Sequence, residues 1–157
     1  MKTFHIYRYG TLNPTDHSDF YTDGNLGEYM RRSSEYLDSI KPENMYPRCG
    51  SLYASPTLES CLQWYESLNQ YTQKEIDYIL QLEVPGSLYI FDAKQYDIAT
   101  DENIENAIKY WNSAQTLEQY FEYRSTLSLA EQKELDYWYE ILFHTSDVIK
   151  IEKVPLP

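Results

Sequence analysis

Residues 46–56 read YPRCGSLYASP, and this stretch combines a predicted strand with the predicted start of a helix. A strand is predicted at residues 51–54, and its alternation puts Ser51, Tyr53 and Ser55 on one face and the apolar side chains between them on the other. Buried strands favour Val or Ile, so this hydroxyl-bearing face needs an explanation. Two remain open: the serines act only as turn and cap residues, or the face leaves room for a polar ligand that carries a ring.

The same stretch is predicted to start a helix. Ser55 has the side chain of an N-cap and Pro56 suits the first helical position. The residues that follow form an apolar stripe at helical spacing. This stripe consists of Leu58, Cys61, Leu62, Tyr65 and Leu68.

In the rest of the chain, the pattern of apolar residues predicts strands at residues 3–9, 79–84, 88–91, 136–143 and 148–154. Helices are predicted from about residue 26 to 40, over 104–121 as one or two helices, and from the capping box that begins at Ser128. Pro85 and Gly86 suit the centre of a type II turn, although the flanking strands need not pair across it. Strands with helices between them predict an α+β domain, mainly antiparallel, over residues 1–157.

Composition restricts the class of function. The chain has 157 residues and a formal net charge of −12, without a basic run. Direct binding to nucleic acid is not expected, because lysine and arginine drive it, whereas a basic protein partner fits the charge. With two cysteines outside metal-binding spacings, no signal-peptide pattern and no stretch of eighteen apolar residues, the chain is predicted to be cytoplasmic and not membrane-inserted.

The common catalytic motifs are absent from the sequence: there is no P-loop, GxGxxG, HExxH, GxSxG or EF-hand loop. The histidines His5, His17 and His144 are scattered, so each is interpreted as structural or solvated. No metal site is predicted.

Two charged residues stand on strand faces where charge is unusual. Arg8 shares a face with Phe4 and Ile6, and burial requires an anionic partner, which is either a protein carboxylate or a ligand phosphate. Glu140 is flanked on its predicted strand by Trp138 and a leucine. Such surroundings suit acid–base chemistry or the stabilisation of a developing cation.

Taken in chain order, the segments IYRYGT, SLYASP and YWYEILF resemble the three stations of the ADP-ribosyltransferase family. That family has a split, mainly antiparallel β-sandwich with helices between the strands. It places Arg or His on the first strand, Ser or Tyr on a middle strand that leads into a helix, and a catalytic Glu on a late strand. The form of the middle stretch is similar to that of small bacterial and phage members.

The resemblance implies an NAD-dependent transferase that moves ADP-ribose to a macromolecular acceptor. It implies that Arg8, Gly10 and Thr11 bind the cofactor. Ser51 would position the ribose or support the glutamate, and Tyr53 would stack on nicotinamide. Glu140 would stabilise the oxocarbenium-like state.

The sequence departs from the family pattern at two places. Members that modify arginine carry Glu or Gln two residues before the catalytic Glu, where this chain has Trp138, so arginine is a doubtful acceptor. Arg8 also lies one residue further from Gly10 than in the usual pairing. Two alternatives stay open: an acidic inhibitor that mimics nucleic acid, and an inactive NAD binder with the same fold.

Overall fold

The computed structural model describes residues 2–10, 12, 24–68, 77–97 and 103–156. Within these residues, seven strands form two antiparallel sheets, and helices connect them. The predicted α+β class is therefore confirmed. None of the helices in these ranges is long and apolar enough to cross a membrane.

The first sheet has three strands in the order β1-β3-β7. They are β1 (Thr3–Tyr9), β3 (Tyr78–Pro85) and β7 (Lys150–Pro155). The second sheet has the order β2-β6-β4-β5. Its strands are β2 (Leu52–Ala54), β4 (Tyr89–Asp92), β5 (Gln115–Thr116) and β6 (Tyr139–Phe143).

Six α-helices lie within the described ranges, and a short 3₁₀ turn at Thr145–Asp147 follows β6. The helices are α1 (Gly24–Asp38), α2 (Leu58–Leu68), α3 (Ala93–Asp97), α4 (Ile104–Asn112), α5 (Leu117–Arg124) and α6 (Leu129–Trp138). The region predicted as one or two helices is thus two, separated by β5. Ser128 caps α6 through the predicted capping box.

Alternation along β2 and β6 gives the second sheet an apolar side chain layer on each face. Leu52, Ile141 and Phe143 join a core formed with Ile6 and Leu82 of the first sheet. On the opposite face, a second core contains Leu37, Phe91, Tyr110, Trp111 and Leu142. The second sheet is therefore covered by the first sheet on one side and by helices α1, α3 and α4 on the other.

The predicted start of α2 is wrong by two residues. The helix begins at Leu58, and the side chain of Thr57 accepts a hydrogen bond from the Ser60 N–H at 3.1 Å. Ser55 instead pairs with β1: Tyr7 N–H donates to Ser55 O at 2.9 Å and Ser55 N–H to Tyr7 O at 2.7 Å. Both Ser and Thr can cap, and here the backbone pairing of Ser55 decides between them.

Two further predictions need correction. Residues 136–138 belong to α6 and not to a strand, so β6 starts at Tyr139. The turn after β3 is not type II, because the only positive φ angles of described residues are at Gly10 and Gly50, whereas type II requires one at Gly86. The strands on either side of this turn, β3 and β4, do not pair with each other, since they belong to different sheets.

Candidate functional site

The three strands that carry the predicted site residues are neighbours. β2 pairs with β6 through Tyr53 opposite Leu142, and the Tyr7–Ser55 bridge joins β2 to β1. In the part of the chain that the structure describes, this bridge joins the backbones of the two sheets. The first, middle and late segments of the sequence thereby meet at the junction of the sheets.

Arg8 is buried at this junction, as its place beside Ile6 predicts. Its Nη1 donates to the carbonyl oxygen of Tyr53 at 2.9 Å, and its guanidinium carbon lies 5.8 Å from the centroid of the Tyr53 ring. Gly10, two residues later, has a φ of 103°, which favours glycine. Thr11 lies outside the described residues, as does His17.

Glu140 is buried on the helix-covered face of β6, where its carboxylate accepts three hydrogen bonds. Arg48 donates from Nε to Oε1 at 2.9 Å and from Nη2 to Oε2 at 2.7 Å. The Tyr110 hydroxyl donates to Oε1 at 2.8 Å. The side chain is 12% exposed, so the carboxylate is nearly enclosed by these donors.

The predicted surroundings of Glu140 were wrong in one respect. Trp138 is the last residue of α6, and its indole packs against Trp64 and Tyr137, at centroid distances of 6.0 and 5.0 Å. A helix does not alternate like a strand, so Trp138 and Glu140 do not share a strand face. The guanidinium of Arg48 is the group that sets the electrostatics of the carboxylate.

Arg48 is the functional-site residue that sequence reasoning missed. Its Nη1 donates to Ser34 Oγ at 3.0 Å, and its guanidinium lies 3.5 Å from the centroid of the Tyr96 ring. Burial is the largest single influence and opposes the charge of Arg48. The Glu140 carboxylate, its hydrogen bonds and the neighbouring Tyr96 and Tyr110 together outweigh burial, so the pKa of Arg48 is raised well above its usual value. The guanidinium of Arg48 therefore keeps its charge although it is buried.

The loop before β2 is fixed in a way that aims Arg48 inward. The Asp38 carboxylate at the end of α1 accepts from the Arg48 N–H at 2.7 Å and from the Cys49 N–H at 2.9 Å. Gly50 then takes a φ of 84°, which side-chain-bearing residues rarely adopt. In the sequence, the available signal was an arginine two residues before a glycine. This pattern does not indicate that the side chain of Arg48 is buried.

Tyr53 connects Arg8 to this pair. Its half-buried ring has its centroid 5.0 Å from the Arg48 guanidinium carbon, in addition to its contact with Arg8. Guanidinium groups are attracted to the faces of aromatic rings. Arg8, Tyr53, Arg48 and Glu140 therefore form a continuous series of contacts, and Arg48 occupies space between Tyr53 and Glu140.

Ser51 is the residue immediately before β2. Its buried Oγ is 3.2 Å from Nε2 of His144, whose ring stacks on Tyr46 at a centroid distance of 3.7 Å. At about 3.3 Å per residue, His144 is about 13 Å from Glu140 along β6. The structure brings Ser51 to His144 and does not bring its hydroxyl to Glu140.

Tyr110 holds the carboxylate from the helix side. Burial, together with the adjacent Glu140, raises the pKa of Tyr110 well above its usual value, so its hydroxyl stays a donor.

We expect Tyr110→Phe to lower the free energy of unfolding by about 2 kcal/mol, because a buried hydrogen bond to a charged group is lost. Urea unfolding measures this loss. Tyr123→Phe, on an exposed ring, is the control, and equal effects of the two variants would contradict the assignment.

Residues 25–124 match the model of a family described as "Protein of unknown function (DUF2441)". The chain belongs to this family. The matched region contains Arg48, Tyr53 and Tyr110, while Arg8 and Glu140 lie on either side of it. No curated protein matches the chain.

Among the residues that the structure describes, no group of three or more His, Cys, Asp or Glu side chains is arranged to hold a metal ion.

Proposed function

We propose that this protein is an ADP-ribosyltransferase that binds NAD at the junction of its two sheets and transfers ADP-ribose to a macromolecular acceptor. The observation that supports the proposal is the meeting of β1, β2 and β6, where Arg8 contacts Tyr53 and Arg48 joins Tyr53 to Glu140. These strands carry the segments that resemble the three stations of that family. Two antiparallel sheets joined by one bridge also fit its split β-sandwich.

Each residue has a role in this reaction. Arg8 binds the diphosphate, and Gly10 lets the backbone come close to the cofactor. Tyr53 stacks on nicotinamide. The bond between the ribose C1′ and the nicotinamide nitrogen breaks, and nicotinamide leaves with the bonding electrons. The acceptor then attacks C1′ and gives up its proton to solvent.

Glu140 stabilises the positive charge that develops on the ribose. A carboxylate offers about four lone-pair positions, and Arg48 with Tyr110 fills three of them. The remaining position, on Oε2, accepts one hydrogen bond from a ribose hydroxyl. Arg48 thus leaves Glu140 able to bind the ribose, while it fixes the direction of the carboxylate.

The same ion pair favours a second candidate, an NAD binder that does not transfer ADP-ribose. Arg48 neutralises much of the charge of Glu140 at 2.7–2.9 Å, and a neutralised carboxylate stabilises a developing cation less. In this alternative, the family fold and the cofactor site are kept, and the chemistry is lost.

The acceptor class follows from charge. With 13 basic and 25 acidic side chains, the surface attracts a basic protein and repels a phosphate backbone. We therefore assign a basic protein acceptor in preference to DNA or RNA.

Incubation with NAD tests the proposal through two readouts, the shift in melting temperature and the release of nicotinamide. The transferase gives both, and the inactive binder gives only the shift. A protein that shows neither effect is not an NAD protein, and the proposal then fails.

Arg8→Ala is expected to weaken NAD binding by at least about tenfold, because a charge-assisted bond to the diphosphate is lost. Isothermal titration with NAD measures the affinity. Arg8→Lys keeps the charge without the planar fork and guards against loss of folding, and Arg32→Ala, on an exposed side chain of α1, is the matched control. Folded Arg8 variants that bind NAD like the wild type would exclude this role.

A further inference from the structure

The three-stranded sheet ends at β7, and the outer edge of this strand has no partner strand among the described residues. The residues Lys150, Ile151, Glu152 and Lys153 are all exposed. An edge strand presents unpaired backbone groups that another strand can bind. The question is which strand would fit.

The direction of the backbone groups on β7 follows from its pairing with β3. Leu156 N–H donates to Asp77 O at 3.0 Å, so it faces β3, and alternate residues back to Lys150 face the same way. Between Lys150 and Leu156, Ile151 and Lys153 therefore direct their N–H and C=O groups away from the sheet. The alternation is interrupted at Ile149, whose N–H also donates to β3, to Glu83 O at 2.8 Å.

A row of apolar side chains crosses the first sheet and ends at this edge. Ile6 lies opposite Leu82, and Leu82 opposite Ile151, so the three side chains share one face. Ile6 and Leu82 are fully buried, whereas Ile151 is 50% exposed. The apolar face of the sheet is thus left uncovered at its last strand.

We propose that β7 pairs with β7 of a second copy of this chain, in antiparallel register with Ile151 opposite Ile151. The outward N–H and C=O groups of the two Ile151 residues then bond each other. The apolar row continues from one copy into the next through the two isoleucines. A two-fold axis perpendicular to the sheet relates the copies.

Charge selects this register. With Ile151 opposite its own copy, Lys150 lies directly opposite Glu152 of the other copy, twice in each dimer, and opposite charges at such positions stabilise paired strands. A shift by one pair would place the two Glu152 side chains against each other, which destabilises the pairing. Within one copy Lys150 already reaches Glu152 at 2.9 Å, so both side chains lie on the same solvent-facing side of the strand.

The sedimentation of the full chain up to about 1 mM tests the proposal, since an edge of one short strand gives a weak dimer. The expected result is a concentration-dependent monomer–dimer equilibrium. The amide of Ile151 should exchange with deuterium more slowly as the concentration rises, because its N–H becomes bonded only in the dimer. A chain that stays monomeric over this range overturns the proposal.

Three variants test the register. Ile151→Pro removes the outward N–H without removing a bond to β3, and it should abolish the dimer. Lys150→Glu and Glu152→Lys should each weaken the dimer by about tenfold, and the double charge swap should restore it. Leu129→Lys, at a site 83% exposed on α6, is the control and should leave the dimer unchanged. A dimer that survives Ile151→Pro, or a double swap that does not restore it, overturns the assigned pairing.

Discussion

Arg48→Met is expected to lower the free energy of unfolding by about 3–5 kcal/mol, because it leaves the buried Glu140 carboxylate without its counter-ion. Methionine keeps the unbranched apolar part of the side chain and lacks the guanidinium, so the loss reports on the charge, its hydrogen bonds and its contact with the Tyr96 ring. For a chain of 157 residues, the loss corresponds to a fall in melting temperature of about 10 °C. Urea unfolding and calorimetry measure the two quantities.

Combining Arg48→Met with Glu140→Gln separates the ion pair from its surroundings. The double variant should be less destabilised than the sum of the two single variants, because no uncompensated charge remains. Arg124→Met is the matched control: Arg124 pairs with Asp136 at 2.8 Å, but its side chain is 27% exposed, so its loss should cost less. If Arg48→Met costs less than about 1 kcal/mol, the pair does not hold the site together.

Glu140→Gln is expected to reduce nicotinamide release by at least about a hundredfold, because the charge aimed at the developing cation is removed. This prediction rests on the proposed transferase activity. The variant also loses the ionic partner of Arg48, so it should unfold at a lower temperature than the wild type. Nicotinamide release is therefore measured well below the melting temperature, on samples shown to be folded.

Two controls make the result interpretable. Tyr110→Phe perturbs the same cluster but keeps the carboxylate, and it should retain most of the release. Glu134→Gln, at an exposed acid on α6, should change nothing. A folded Glu140→Gln protein that releases nicotinamide like the wild type rules out Glu140 as a catalytic residue. If the wild type binds NAD without release, the inactive binder is the correct reading.

The elements with strong local signals could be predicted from the sequence. The alternating pattern over Thr3–Tyr9 predicted a strand, and β1 has the same bounds in the structure. The capping box at Ser128 correctly predicted the start of α6. These signals depend on residues close in sequence, where backbone geometry and burial act together. The end of α6 was missed because the aromatic residues up to Trp138 favour a strand as well as a buried helix end.

The position of Arg8 on an apolar strand face also followed from alternation, and the structure buries it as expected. Arg48 did not follow, because its burial depends on Ser34 and Glu140, which lie far from it along the chain. Arginine is usually exposed, so a single arginine in a loop carries no sign of such a network. Only the folded chain shows that Glu140 has a cationic partner.

The bridge between Tyr7 and Ser55 has a consequence for how the protein can change over evolutionary time. Among the described residues, the backbone hydrogen bonds of this bridge hold the two sheets at a single seam. The apolar core between the sheets stabilises their contact but does not fix their relative orientation. Core substitutions that alter volume can tilt one sheet against the other about the seam and so change the distance between Arg8 and Glu140. Related chains can thus change the spacing of these side chains without replacing any of them.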